Sequence, residues 1–141
     1  MIPLFVDGTN LPPGGHHCTW QELEERFCSG LRRTTLCREL RVLLQRAREC
    51  GFLRVAVGGS FPTAKPDPGD LDLLFITPRG MTSETVPAQC AELLDSANSR
   101  DRFGHDFLWC PDEPDVVERL IHGLGHDTRT GIDRGMVVID I

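Results

Sequence analysis

Apolar and polar residues follow two periods along this chain, one helical and one of short unbroken apolar runs. Trp20, Leu23 and Phe27 recur at helical spacing behind Thr19 and Glu22, a pairing that lets a helix cap its own first turn, and predict a helix ending near Gly30. From Arg32 onward Leu36, Leu40, Leu43 and Leu44 share one face and Arg33, Arg41 and Arg48 the other, until Gly51 offers a C-terminal stop. Residues 52–57 form an apolar run rich in β-branched side chains, closed by Gly58-Gly59, and read as a buried strand; after a proline-rich loop, 71–77 read as a second. Ala88, Ala91, Leu94 and Ala97 predict a helix over 85–100, followed by a strand over 103–109. Asp112 and Pro114 open a helix over 114–124, and 135–141 are a last strand. Residues 1–18, with Leu11-Pro12-Pro13-Gly14-Gly15, show neither period and are expected to form an extended leader with little regular structure.

This order of elements implies an α/β (α+β) class, and composition bounds it further. At 141 residues the chain suffices for one core, so a single domain over 1–141 is expected. No apolar run approaches the ~20 residues of a membrane span, and the first residues lack the basic flank of a secretory signal, so a soluble, cytoplasmic protein is expected. Six cysteines (Cys18, Cys28, Cys37, Cys50, Cys90, Cys110) contain no Cys-x-x-Cys pair and read as buried reduced thiols. A net charge of −6 opposes free, sequence-independent nucleic-acid binding, which needs clustered Lys and Arg. Lys65 is the only lysine among the 15 basic residues, and it falls inside the segment that carries the chemistry.

That segment is Val57-Gly58-Gly59-Ser60-Phe61, a spacer containing Lys65, and Asp70-Leu71-Asp72-Leu73-Leu74-Phe75. Alternate strand residues share a face, so Asp70 and Asp72 are expected on one side, ~7 Å apart, with Leu71, Leu73 and Phe75 toward the core. Two carboxylates in one site repel unless a hard cation lies between them, and Mg²⁺ (or Mn²⁺) is held by one or two carboxylates plus substrate phosphates. Gly59 and Ser60, directly after a buried strand, offer close backbone approach and a hydroxyl donor to a triphosphate, while Lys65 can neutralise its charge. Asp106, set in the apolar run Phe103 to Trp109, would complete a three-carboxylate site.

Gly-Ser, a spacer, Asp-x-Asp and a later strand aspartate resemble the motif of the minimal nucleotidyltransferases related to polymerase β. More closely, the chain resembles a bacterial family of short nucleotidyltransferase-like proteins, through Leu11-Pro12-Pro13-Gly14, Trp20, Gly59-Ser60-Phe61, Lys65-Pro66, Asp70-Leu71-Asp72 and the run Arg129 to Met136. The resemblance implies a mixed sheet flanked by helices. It implies Asp70 and Asp72 as metal ligands, Asp106 as third ligand or base, and Gly59 and Ser60 on the phosphates. The reaction implied is transfer of a nucleoside monophosphate from a nucleoside triphosphate to a hydroxyl of a protein, an RNA end or a small molecule. The polymerase-like members carry an extra acceptor domain for which this chain has no room, so the alternative is a non-catalytic module of the same fold, partnered with another protein as in a toxin-antitoxin or defence pair.

Weaker patterns compete with this reading. His16-His17-Cys18 are consecutive and rarely converge on one ion, and His122 and His126 have helical zinc-ligand spacing but lie among glycines. Ser60, His105 and Asp106 supply hydrolase-triad types without the nucleophile elbow, and no P-loop sequence exists. Arg129 and Arg134 could clamp phosphate or an acidic partner.

Overall fold

Thr19 caps α1 (Trp20–Phe27) as its spacing demands: its hydroxyl accepts from the Glu22 amide, and the Glu22 carboxylate accepts from the Thr19 amide. In the computed structural model, which describes residues 1–141, the chain continues through α2 (Leu31–Glu49), β2 (Arg54–Gly58), β3 (Asp72–Thr77), α3 (Ala88–Ala91), α4 (Ser99–Phe103), β4 (Asp106–Pro111), α5 (Pro114–Gly125) and β5 (Gly135–Asp140). A strand not foreseen from sequence, β1 (Gly14–Cys18), precedes α1. The five strands form one mixed sheet in the order β1-β5-β2-β3-β4; β1 with β5 and β3 with β4 are parallel, and β2 runs antiparallel to both its neighbours. This is the expected α+β class with a mixed sheet flanked by helices.

Alternation sorts the side chains onto two faces. Val55, Val57, Leu73, Phe75, Phe107, Val137 and Ile139 join Leu23, Phe27, Leu36, Leu40 and Leu44 of α1 and α2 in the larger core. Ala56, Leu74, Ile76, Cys110, Met136 and Val138 face the other way and pack on Ile121 of α5. Strands buried on both sides read as continuous apolar runs, which is the pattern of 55–57 and 73–76.

Three expectations are corrected. The leader is not featureless: residues 14–18 add a parallel edge to β5, Ile2 and Leu11 are buried, and Asn10 bridges to Thr63. Backbone pairing from β5, distant in sequence, makes the strand. The helix over 85–100 is broken into α3, two single 3₁₀ turns and α4. Asp95 leaves the helical region at φ −94° and ψ 81°, and its carboxylate accepts from Asn98 Nδ2 at 2.8 Å, so a local side-chain bond replaces the helical ladder. Nor are all six cysteines reduced: Cys28 bonds Cys37 and Cys50 bonds Cys90, leaving Cys18 and Cys110 free. The first ties the end of α1 to the second turn of α2 and the other ties the end of α2 to α3, proximities invisible to sequence spacing. No helix is long and apolar enough to cross a membrane.

Candidate functional site

The register of the sheet brings the acidic residues together. Asp72, first in β3, pairs with Asp106, first in β4, and on its other side with Gly58, last in β2. Asp72 shares the face of Leu74 and Ile76, the face α5 covers, but the α5 cluster reaches no further along the strand than Leu74. The carboxylates therefore lie on sheet surface that no helix covers. Asp70 is placed differently from the expectation. The strand starts at Asp72, and Asp70 stands in the preceding loop, because the Leu71 amide donates to His105 Nδ1 at 3.0 Å instead of to a ladder partner.

Gly59 has a strict steric reason to be glycine. It turns at φ +71°, and a Cβ there would lie 1.9 Å from Asp72 Oδ2. Backbone and carboxylate thus touch with nothing between them. Ser60 is half-buried; its carbonyl accepts from Thr63 Oγ1 at 2.6 Å, and its own hydroxyl makes no hydrogen bond within the chain. Lys65 is exposed, and its ammonium makes no hydrogen bond or ion pair. The structure joins Gly59, Asp70, Asp72 and Asp106 and leaves Lys65 free in the loop.

Sequence reasoning missed the group that organises these carboxylates. Arg100, on α4, donates from Nη2 to Asp70 Oδ2 at 2.6 Å, from Nε to Asp106 Oδ1 at 3.1 Å, and from Nη2 to Asp106 Oδ2. These bonds hold the Asp106 carboxyl below the ordinary carboxylate range and push the guanidinium higher still. Asp72 gains no such partner. Burial, reinforced by the charges of Asp70 and Asp106, pushes its carboxyl up to about 6, and it lies close enough to Asp106 for a proton to be shared between them. No three His, Cys, Asp or Glu side chains converge on one point as ion ligands, since Arg100 stands between two of these carboxylates. Arg100 carried no signal beyond being one arginine among fourteen.

His105 is also settled by geometry. It is buried, accepts the Leu71 amide at Nδ1 and presents Nε2 to Glu39 Oε2 at 3.1 Å. Both nitrogens are spoken for away from Ser60, which removes the hydrolase triad. The other histidines do not converge: His16 contacts the Pro12 carbonyl, His122 approaches Glu118, and His126 pairs with Asp133. Arg129 and Arg134 both approach Asp127. A cavity of about 500 Å³ opens at the opposite end of the α5 face, but its charged groups answer each other, Arg54 with Asp112 and His122 with Glu118.

Over residues 3–140 the chain matches the model of a family of unknown function, DUF6932. It belongs to that family. No curated protein and no solved structure matches it. In this DUF6932 chain the site consists of a glycine turn pressed on Asp72, two flanking carboxylates, and an arginine bridging that pair.

Proposed function

We propose that this site is the centre of a metal-dependent nucleotidyltransferase, which moves a nucleoside monophosphate from a nucleoside triphosphate such as ATP to a hydroxyl of a protein, an RNA end or a small molecule. The observation that carries the reading is the Asp72–Asp106 pair in register with Gly59 against the Asp72 carboxylate. The chain carries the parts of the nucleotidyltransferase motif in order, a glycine-serine turn, an Asp-x-Asp and a later strand aspartate, and here that last aspartate lies on the adjacent parallel strand. The donor set fits Mg²⁺ or Mn²⁺ in kind, being hard carboxylate oxygens in which the burial of Asp72 makes a compensating cation favourable. Asp72 and Asp106, paired in register, would hold it together with phosphate oxygens, with Asp70 beside them. When bound, a divalent cation supplies charge neutralisation at the reacting phosphate.

The chain's own residues do the rest. The turn at Gly59 lets backbone approach phosphate oxygens closely, the unpartnered Ser60 hydroxyl donates to them, and Lys65 adds a mobile positive charge. Asp106 accepts the proton of the acceptor hydroxyl. The hydroxyl oxygen bonds to the α-phosphorus as its bond to the bridging oxygen breaks, and pyrophosphate leaves with that electron pair. A triphosphate donor favours the cytoplasm, whereas the two disulfides favour an oxidising compartment.

One observation favours a second reading, a non-catalytic module of this fold that acts through a protein partner, as in a toxin-antitoxin or defence pair. Arg100 already satisfies two of the three carboxylates. Pyrophosphate release, measured with ATP, GTP, CTP and UTP in Mg²⁺ or Mn²⁺, separates the readings. Catalysis predicts release with at least one donor, lost in Asp72→Asn. No release, together with no nucleotide-dependent rise in thermal stability, transfers the assignment to the binding module.

A further inference from the structure

Arg100 is the one cation in contact with the carboxylates, and its attachment differs from theirs. Asp72 and Asp106 are fixed in the sheet, and α4 is fixed behind them, since buried Ser99 accepts the Phe107 amide on Oγ at 3.0 Å. The Arg100 side chain, by contrast, is 57% exposed and reaches the cluster from the rim. A guanidinium keeps its proton at every working pH, so it can leave the carboxylates only by swinging away. It bridges Asp70 and Asp106 and makes no bond to Asp72, so the neutralisation it provides is partial.

Resting on the metal-dependent reading above, we propose that Arg100 is an exchangeable counterion: it holds Asp70 and Asp106 together while the cation is absent, is displaced when a divalent cation enters, and thereby sets the cation affinity of the site. The two cations compete for the same oxygens, so they bind with negative coupling. Displaced but tethered, the guanidinium remains at the rim, where the nearest incoming anion is a phosphate of the nucleotide. Nucleotide then captures the released arginine and removes its competition, so metal and nucleotide bind cooperatively through this side chain.

Mn²⁺ binding followed by electron paramagnetic resonance tests this, with the full-length protein, Arg100→Ala, Arg100→Lys and Asp72→Asn, each with and without a non-hydrolysable triphosphate. Arg100→Ala is expected to bind Mn²⁺ about tenfold more tightly than the parent in the absence of nucleotide, a coupling of ordinary size. Arg100→Lys falls between, because a point charge bridges two carboxylates less well. The nucleotide-induced gain in Mn²⁺ affinity shrinks in Arg100→Ala. Unchanged or weaker Mn²⁺ binding in Arg100→Ala, with Asp72-dependent binding in the parent, overturns the role of Arg100 and leaves the metal site standing. Absence of Asp72-dependent Mn²⁺ binding in the parent and in both Arg100 variants overturns the metal reading and this proposal together.

Discussion

Two arginines organise this protein's glycine-serine loop and carboxylate cluster, and they do so in opposite ways. Arg33 is buried and makes no ion pair. Its guanidinium donates to the carbonyls of Phe27, Phe61, Thr63 and Lys65 at 2.6–3.2 Å and lies over the rings of Phe27 and Phe61. Arg100 is exposed and faces two carboxylates. A planar five-donor fork serves both positions, yet burial decides what each can do. Arg33 has no solvent to escape to, and its removal strands four carbonyls, so it fixes the loop that follows Gly59-Ser60. Arg100 can trade its partners for water, so it can only bias the cluster.

The largest effect that would break this contrast is on stability. Arg33→Ala is expected to cost about 3–5 kcal/mol in chemical denaturation, because buried carbonyls lose their donors and the loop loses its anchor. Arg100→Ala should leave the denaturation midpoint close to that of the parent. Equal losses in the two variants would show that the loop and the cluster are one structural unit.

Reduction opens both disulfides, and the first of them lies on the Arg33 side. The Cys28–Cys37 bond spans 9 residues and encloses Arg33, and by loop-closure entropy it contributes roughly 3 kcal/mol. Cys50–Cys90 spans 40 residues and contributes roughly 4 kcal/mol. Adding a thiol reductant should lower the denaturation midpoint and speed hydrogen exchange of the Ala64 and Lys65 amides, which bond Thr9 and Thr63. Exchange at Asp106 and Phe107 should change less. Uniform acceleration would contradict a local role for the first bond.

The smallest effect sharpens the Arg100 side. Folding raises the Asp72 carboxyl from 3.8 to about 6. The folded state therefore binds this proton more tightly than the unfolded one; the destabilisation is absent below about pH 4, develops between 4 and 6, and is complete above. Asp72→Asn should accordingly stabilise the metal-free protein by about 1–2 kcal/mol at pH 7, after allowance for partial exposure, and by little at pH 4. Urea denaturation at both pH values reads this directly, and a destabilised Asp72→Asn at pH 7 would mean that the carboxylate is satisfied by Arg100 after all. On the proposed transferase reading the same substitution abolishes transfer, so that stability and function would oppose each other at this residue.

Local signals wrote much of the fold. The Thr19–Glu22 cap, the leucine face of α2, the apolar runs of β2 and β3 and the Pro114 start of α5 each rest on contacts within a few residues, and each was legible. Gly59, Asp72 and Asp106 were legible as well, because charges and a glycine pair interrupt otherwise apolar runs, and interruption of a buried strand is itself a signal. What only tertiary structure decided was pairing across distance. Strand β1 exists through β5, about a hundred and twenty residues later along the numbering. The disulfides depend on how α2 packs, the break at Asp95 on a side-chain bond that outcompeted helical propensity, and the place of Asp70 on the bond of its neighbour Leu71 to a histidine 34 residues further on. Arg33 and Arg100 look alike in sequence. One is a buried anchor and the other an exposed ion-pair partner because desolvation depends on what surrounds a charge, and the surroundings are assembled only when the chain folds.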